Sequence, residues 1–144
     1  MKITRVDQFA PRNRTRLIRI STDTGIEGWA ESTLEGKPQS VPAAIDEFTD
    51  YLIGKDPLRI EHHWQQMYRS SFFRGGAHNM SAIAAINAAL WDISGKHYGV
   101  PSYMLMGGNV RDKIRVYAHW GIRDLSDEGL EEPRDRLTTL QKSG

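Results

Sequence analysis

No cysteine occurs anywhere in the 144 residues, which removes disulfides and thiolate metal sites from consideration. No window approaches the roughly 18 apolar residues of a membrane-crossing helix, and the opening MKITRVDQF lacks the apolar run of a secretory leader. A cytoplasmic protein with no membrane partner is therefore the expectation. An excess of one charge is missing too: Lys+Arg 19 against Asp+Glu 18 leaves +1, so no bulk field points to nucleic acid. There is no phosphate loop, no dinucleotide fingerprint and no nucleophile elbow, and Gly107-Gly108 alone is too weak a glycine signal to count. Internal repeats and low-complexity tracts are absent as well. What is present is an ordinary globular balance of 26% charged and 39% hydrophobic residues over a one-domain length.

Periodicity organises the chain. Ile3, Val6 and Phe9 mark a short strand that ends at Pro11 and the polar loop Arg12-Asn13-Arg14. Two β-rich runs then flank Asp23-Thr24-Gly25, the pattern of a hairpin in which glycine takes the positive φ. In the second run Ile26, Gly28 and Ala30 share one face and Glu27, Trp29 and Glu31 the other. Val41, Ala44, Ile45, Phe48 and Leu52 recur at helical spacing, which predicts a helix near 41–53. A second helix is expected over 58–72, with Ile60, Trp64, Met67 and Tyr68 inward. A third is expected over 79–98, with Asn79 or Ser81 as N-cap. Its stripe Ile83, Ile86, Leu90, Ile93 and its narrow face Ala82, Ala85, Ala89 describe a helix buried on most sides, open to close approach. Lys113 to Trp120 alternates like a strand, and Asp124 to Lys142 has the charge density of an exposed helix. The order predicts an α+β domain over 1–111, then the start of a different domain over 112–144.

The stretch Ala82 to Gly108 combines the Ala-packed helix with Asp92 and Lys96 one turn apart, a Gly99-x-Pro101 stop and a short apolar segment closed by glycines. With the preceding SSFFRGG it closely resembles the signature helix of the mandelate racemase and muconate lactonizing branch of the enolase superfamily. Ala82, Ala85, Ile86, Ala89, Leu90, Asp92, Gly95, Lys96, Pro101, Leu105 and Gly107 all stand where that pattern wants them. Asn87 and Ser102 depart from it. Within the branch the likeness is best to the acid-sugar dehydratases of the galactonate dehydratase kind. The signature itself is a packing motif, with Asp92 and Lys96 in the favourable i,i+4 order.

The resemblance implies a three-stranded antiparallel sheet plus helices as a capping domain, followed by the first β/α unit of an incomplete TIM-like barrel. It implies a lyase that removes the α-proton of a sugar acid and expels water, giving a 2-keto-3-deoxy acid. Racemase, epimerase or cycloisomerase chemistry is the alternative within the superfamily; a non-catalytic binding module built on Trp29, Trp64, Trp91 and Trp120 is the alternative outside it. Mg²⁺ is expected in the full-length enzyme, held by carboxylates after barrel strands that this chain does not reach. In this chain no catalytic residue, metal ligand or cofactor is therefore expected, and the chain alone is expected to be inactive. Glu31, Glu35 and the acids of 124–142 read as cap and solvated-helix charges. His62 and His63 are adjacent on a helix, about 100° apart, and cannot chelate one ion together. The substrate-contacting residues implied are Arg12 and Arg14 in the turn between strands one and two, Lys37 in the loop Ser32 to Lys37, and His119. That histidine falls near the C-terminal end of the first barrel strand, the end that faces a TIM-barrel active site. Partners implied are a sugar acid and further copies of the same chain.

Overall fold

The computed structural model describes residues 1–11, 15–117 and 126–143. The chain divides into two compact units, Met1–Asn109 and Val110–Gly144. In the first unit, β1 (Ile3–Phe9), β2 (Leu17–Thr22) and β3 (Glu27–Glu31) form one antiparallel sheet in the order β1-β2-β3. The β2–β3 turn is the expected hairpin. Gly25 takes a φ of 81°, and Asp23 reaches back across the sheet to accept the Lys2 N–H at 2.8 Å. Three helices follow, α1 (Ser40–Leu52), α2 (Ile60–Arg69) and α3 (Ala77–Tyr98); α3 lies on β2 and β3, α1 on β1 and α3, and α2 on α3. The short α4 (Ser102–Leu105), opened by Pro101, follows and had no counterpart in the sequence reading.

The core lies where the apolar stripes meet. Ile18 and Ile20 of β2, Ile45 and Leu52 of α1, and Ile86 and Leu90 of α3 are fully buried in one cluster. The alanine face of α3 lets this helix lie directly on β3. A side chain on Gly28 would penetrate the Ala89 carbonyl oxygen and come within 2.7 Å of Ile93 Cγ1. Gly28 is thus the site of closest helix–sheet approach, and glycine is there for lack of a Cβ rather than for its φ.

Three expectations need correction. Helix α3 begins at Ala77, ahead of Asn79 and Ser81; Gly76, at φ 81°, precedes it and no side chain caps it. Helix α2 is shorter than 58–72, because the turn at Asp56–Arg59 precedes it and Ser70–Phe73 leave the helix as bends. The alternating run 113–117 forms no strand. Alternation alone makes a strand only where a neighbour takes up the backbone N–H and C=O groups, and none does so among the described residues. Residues 118–120, the rest of that run, lie outside the described residues. In the second unit, α5 (Asp127–Ser143) matches the expected exposed helix and contains Pro133. Its first turn is held by Ser126, whose Oγ accepts the Gly129 N–H at 3.2 Å and whose carbonyl accepts the Leu130 N–H at 3.1 Å.

One buried polar pair fixes the α1–α2 corner. His63 is 1% exposed. Its Nε2 lies 2.8 Å from the Asp56 carbonyl, which can only accept, so Nε2 carries the proton. Nδ1 is then the acceptor for the Tyr51 hydroxyl at 2.8 Å. Burial raises the Tyr51 phenol above its ordinary 10.0, against a smaller opposing pull from Arg59, which keeps it a donor. Burial likewise lowers His63 below 6.5, partly offset by its bond to Asp56. A folded-state value below the unfolded one means the unfolded chain binds more protons as the pH drops. The stabilisation is therefore complete above 6.5 and is lost as the pH falls from there through the folded value. His63→Gln, which keeps one donor and one acceptor, should flatten the acid limb of a melting-temperature profile relative to wild type. Parallel profiles would refute the linkage. His63→Leu should cost about 1–3 kcal/mol at neutral pH, by orphaning Tyr51 Oη and the Asp56 carbonyl.

Candidate functional site

The loops leaving the sheet at one end form the candidate site. One joins β1 to β2 and contains Arg12 and Arg14; the other joins β3 to α1 and contains Lys37. A cleft of about 240 Å³ opens at the roots of both, lined by the end of β1 (Gln8, Phe9, Ala10), the start of β2 (Arg16, Leu17) and the entry to α1 (Pro38, Gln39, Pro42).

Arg16 ties the two loops together. Its backbone N–H donates to Thr33 Oγ1 at 2.9 Å, and its carbonyl accepts the Ser32 N–H at 2.8 Å. Its guanidinium reaches the carbonyls of Pro38 at 3.3 Å and Thr15 at 3.0 Å. The sequence reading passed over Arg16 in favour of its neighbours; its place at the first residue before a β run was the available signal. Close by, Ser32 is buried and its Oγ has no hydrogen-bond partner among the described residues. Gln8 donates to the Pro42 carbonyl at 3.1 Å and to Asp46 Oδ1 at 2.7 Å, which anchors α1 to β1 just below the cleft.

Lys37 lies in the expected loop and is exposed. Its N–H donates to the Leu34 carbonyl at 3.1 Å, closing a turn at Gly36, and its ammonium makes no ion pair among the described residues. Arg12, Arg14 and His119 lie outside the described residues. The partly buried Arg19 of β2 is already committed. Arg19 stacks 5.4 Å from the Phe9 ring centroid and 5.5 Å from that of Trp29, and bonds Asp7 Oδ2 at 2.8 Å. Trp29, 40% exposed, faces solvent most of the tryptophans among the described residues, and it is occupied by this stack.

The acids give no metal cradle. Asp7 is held by Arg5 and Arg19, Glu27 by Arg19 and Ser21, and Asp92 by Lys96. Among the described residues no three His, Asp or Glu side chains converge on a point. Mg²⁺ needs several oxygen ligands in near-octahedral array, so the described residues do not fit it. His62, His78 and His97 are exposed and separate, and His63 is spent on Tyr51 and Asp56.

Residues 9–107 match the N-terminal domain described as "Mandelate racemase / muconate lactonizing enzyme". The chain belongs to this family. The matched residues cover β2, β3 and helices α1 to α4. A curated relative from Variovorax paradoxus (strain S110), a D-galactonate dehydratase, is 54% identical over 142 residues, covering 99% of this chain and 35% of the relative. Among solved structures, a member of the enolase superfamily from Salmonella Typhimurium superposes with a TM-score of 0.81 at 33% identity, over 97% of this chain and 40% of that one. An enolase from Pantoea ananatis, solved with bound D-gluconate and Mg, gives a TM-score of 0.72 at 39% identity over 77% and 28% respectively. The chain thus spans about a third of the length of the curated relatives it matches.

Proposed function

We propose that this chain is the capping portion of an Mg²⁺-dependent acid-sugar dehydratase acting on D-galactonate or a closely related sugar acid. The observation that carries the reading is the 54% identity to a D-galactonate dehydratase, sustained over 99% of the chain. The relatives at 52–54% identity that carry the dehydratase name favour this reading over racemase, epimerase or cycloisomerase chemistry and over a non-catalytic module. In this reading residues 1–111 form the cap and 112–144 begin the barrel. The protein works in the cytoplasm as a homo-oligomer.

The reaction removes the proton α to the carboxylate, leaving the electron pair in an enediolate. That pair then expels the β-hydroxyl, which departs as water once protonated, and the enol product tautomerises to the 2-keto-3-deoxy acid. Bound Mg²⁺ neutralises the enediolate charge when present. The residues of this chain have the complementary work of binding and enclosure. Arg12, Arg14 and Lys37 approach the substrate from the two cap loops as charge-assisted donors to its carboxylate and hydroxyls. His119 has a substrate-binding role in this reading as well. Arg16 sets the relative position of the loop roots through its bonds to Thr33, Ser32 and Pro38.

Two substitutions test the roles in an active enzyme that contains this chain. His119→Ala should lower kcat/KM by about tenfold or more, about 1.4 kcal/mol of transition-state binding, with little change in melting temperature. Lys37→Ala should raise KM by about tenfold, because an exposed loop cation contributes binding that is similar in ground and transition states. Unchanged kinetics in either variant, or a loss explained wholly by unfolding, would remove that residue from the site.

A further inference from the structure

We propose that Asp92 and Lys96 close the open edge of β3 by standing in for the backbone groups of a fourth strand, and that the occupant they exclude is the β3 edge of a second copy of this chain. The hairpin register sets up the argument. Thr22 N–H bonds the Ile26 carbonyl at 3.1 Å and Ser32 N–H bonds the Arg16 carbonyl at 2.8 Å, so even-numbered residues of this run bond β2. The N–H and C=O groups of Glu27, Trp29 and Glu31 therefore point away from β2, to the sheet's outer edge.

At that edge α3 supplies the missing partners. Asp92 Oδ2 accepts the Trp29 N–H at 2.8 Å, and Lys96 Nζ donates to the Glu27 carbonyl at 2.7 Å. The two side chains bond each other at 2.7 Å. An acceptor for the Trp29 N–H and a donor for the Glu27 carbonyl are what two alternate residues of an added antiparallel strand would bring. The absence of a Cβ on Gly28 lets α3 lie close enough for both side chains to reach. At the opposite edge of the sheet Ile3 is held by main chain instead: its N–H bonds the Lys55 carbonyl at 2.9 Å, and Gly54 N–H bonds its carbonyl at 2.8 Å.

The excluded occupant follows from the strand itself. Antiparallel pairing of two β3 edges about Gly28 sets Glu27 of each copy opposite Trp29 of the other. Each Trp29 N–H then meets a Glu27 carbonyl, the same two groups that Asp92 and Lys96 now hold. In that register Glu27 and Glu31 never face a like charge, since Glu31 falls opposite Gly25. An exposed edge of this kind is a template for self-pairing unless something blunts it.

Amide hydrogen exchange on the unmodified chain reads the closure directly. The Trp29 amide should be protected to within about tenfold of the Gly28 amide, which bonds inward to β2. Asp92→Ala should speed Trp29 exchange at least 100-fold more than it speeds Gly28, whereas Asp92→Asn, which keeps an acceptor oxygen, should not. Sedimentation velocity reads the occupant. Asp92→Ala/Lys96→Ala should gain concentration-dependent self-association beyond wild type, and adding Trp29→Pro, which deletes the edge N–H, should abolish the gain. Lys96→Ala alone serves as the association test if the double variant does not fold. A Trp29 amide that exchanges freely in the wild type overturns the closure. Folded variants that sediment like wild type, or a gain that survives Trp29→Pro, overturn the second copy as occupant.

Discussion

Gly28→Ala is expected to lower the unfolding free energy by about 3 kcal/mol or more, the upper end of what overpacking a tight core does. The new methyl group meets the Ala89 carbonyl oxygen and comes within 2.7 Å of Ile93 Cγ1. The first of these is backbone, held inside a helix, and cannot rotate out of the way. Helix α3 must therefore lift from β3, and as it does the reach of Asp92 to the Trp29 N–H and of Lys96 to the Glu27 carbonyl is lost as well. For a unit of this size the melting temperature should fall by more than about 10 °C. Gly25→Ala supplies the contrast. Nothing lies within 4 Å of its Cβ position, and only the φ of 81° opposes a side chain, so the loss should be about 1 kcal/mol. Equal losses at the two positions would mean that α3 does not lie on β3 as described.

The largest functional effect is expected when the chain stands alone. The protein of 16.4 kDa should show no tight Mg²⁺ binding by calorimetry. It should turn over D-galactonate at a rate at least about 10⁴-fold below an intact dehydratase, as when catalytic groups are missing altogether. The reason lies in the acids. Asp7, Glu27 and Asp92 are each neutralised by a neighbouring cation, and no three metal-ligating side chains converge among the described residues. Micromolar Mg²⁺ affinity, or dehydration by protein of confirmed mass, would place the chemistry inside these residues after all.

Much of the fold was legible because it is local. The Asp23-Thr24-Gly25 turn, the two-residue alternation through Trp29 and the apolar spacings of α1 and α3 each act over a few residues. Contacts between elements were less legible. Asp92 and Lys96 read as a helix-surface pair, and the pair exists at 2.7 Å, but nothing in i,i+4 spacing says that both side chains also bind the edge of β3. His63 read only as one half of an adjacent histidine pair on a helix. Its burial follows from where Tyr51 and the Asp56 carbonyl fall, which depends on the turn between α1 and α2. The run 113–117 carries the alternation of a strand without a neighbour to complete one. At the candidate site the loops were found from turn residues and from the family resemblance. Lys37 lies in its loop as expected, Arg16 was missed, and Arg12, Arg14 and His119 lie outside the described residues.

The central claim is that this chain caps an acid-sugar dehydratase, and a hybrid enzyme tests it most directly. The 144 residues would replace the matching N-terminal segment of the Variovorax paradoxus D-galactonate dehydratase, to which they are 54% identical over 142 positions. The measurement is the rate of 2-keto-3-deoxy acid formation from a panel of sugar acids, with the intact relative as reference. The expected result is Mg²⁺-dependent dehydration of D-galactonate within about tenfold of the relative's kcat/KM, lost when the N-terminal segment is omitted. A hybrid that folds and binds Mg²⁺ but dehydrates no sugar acid would contradict it.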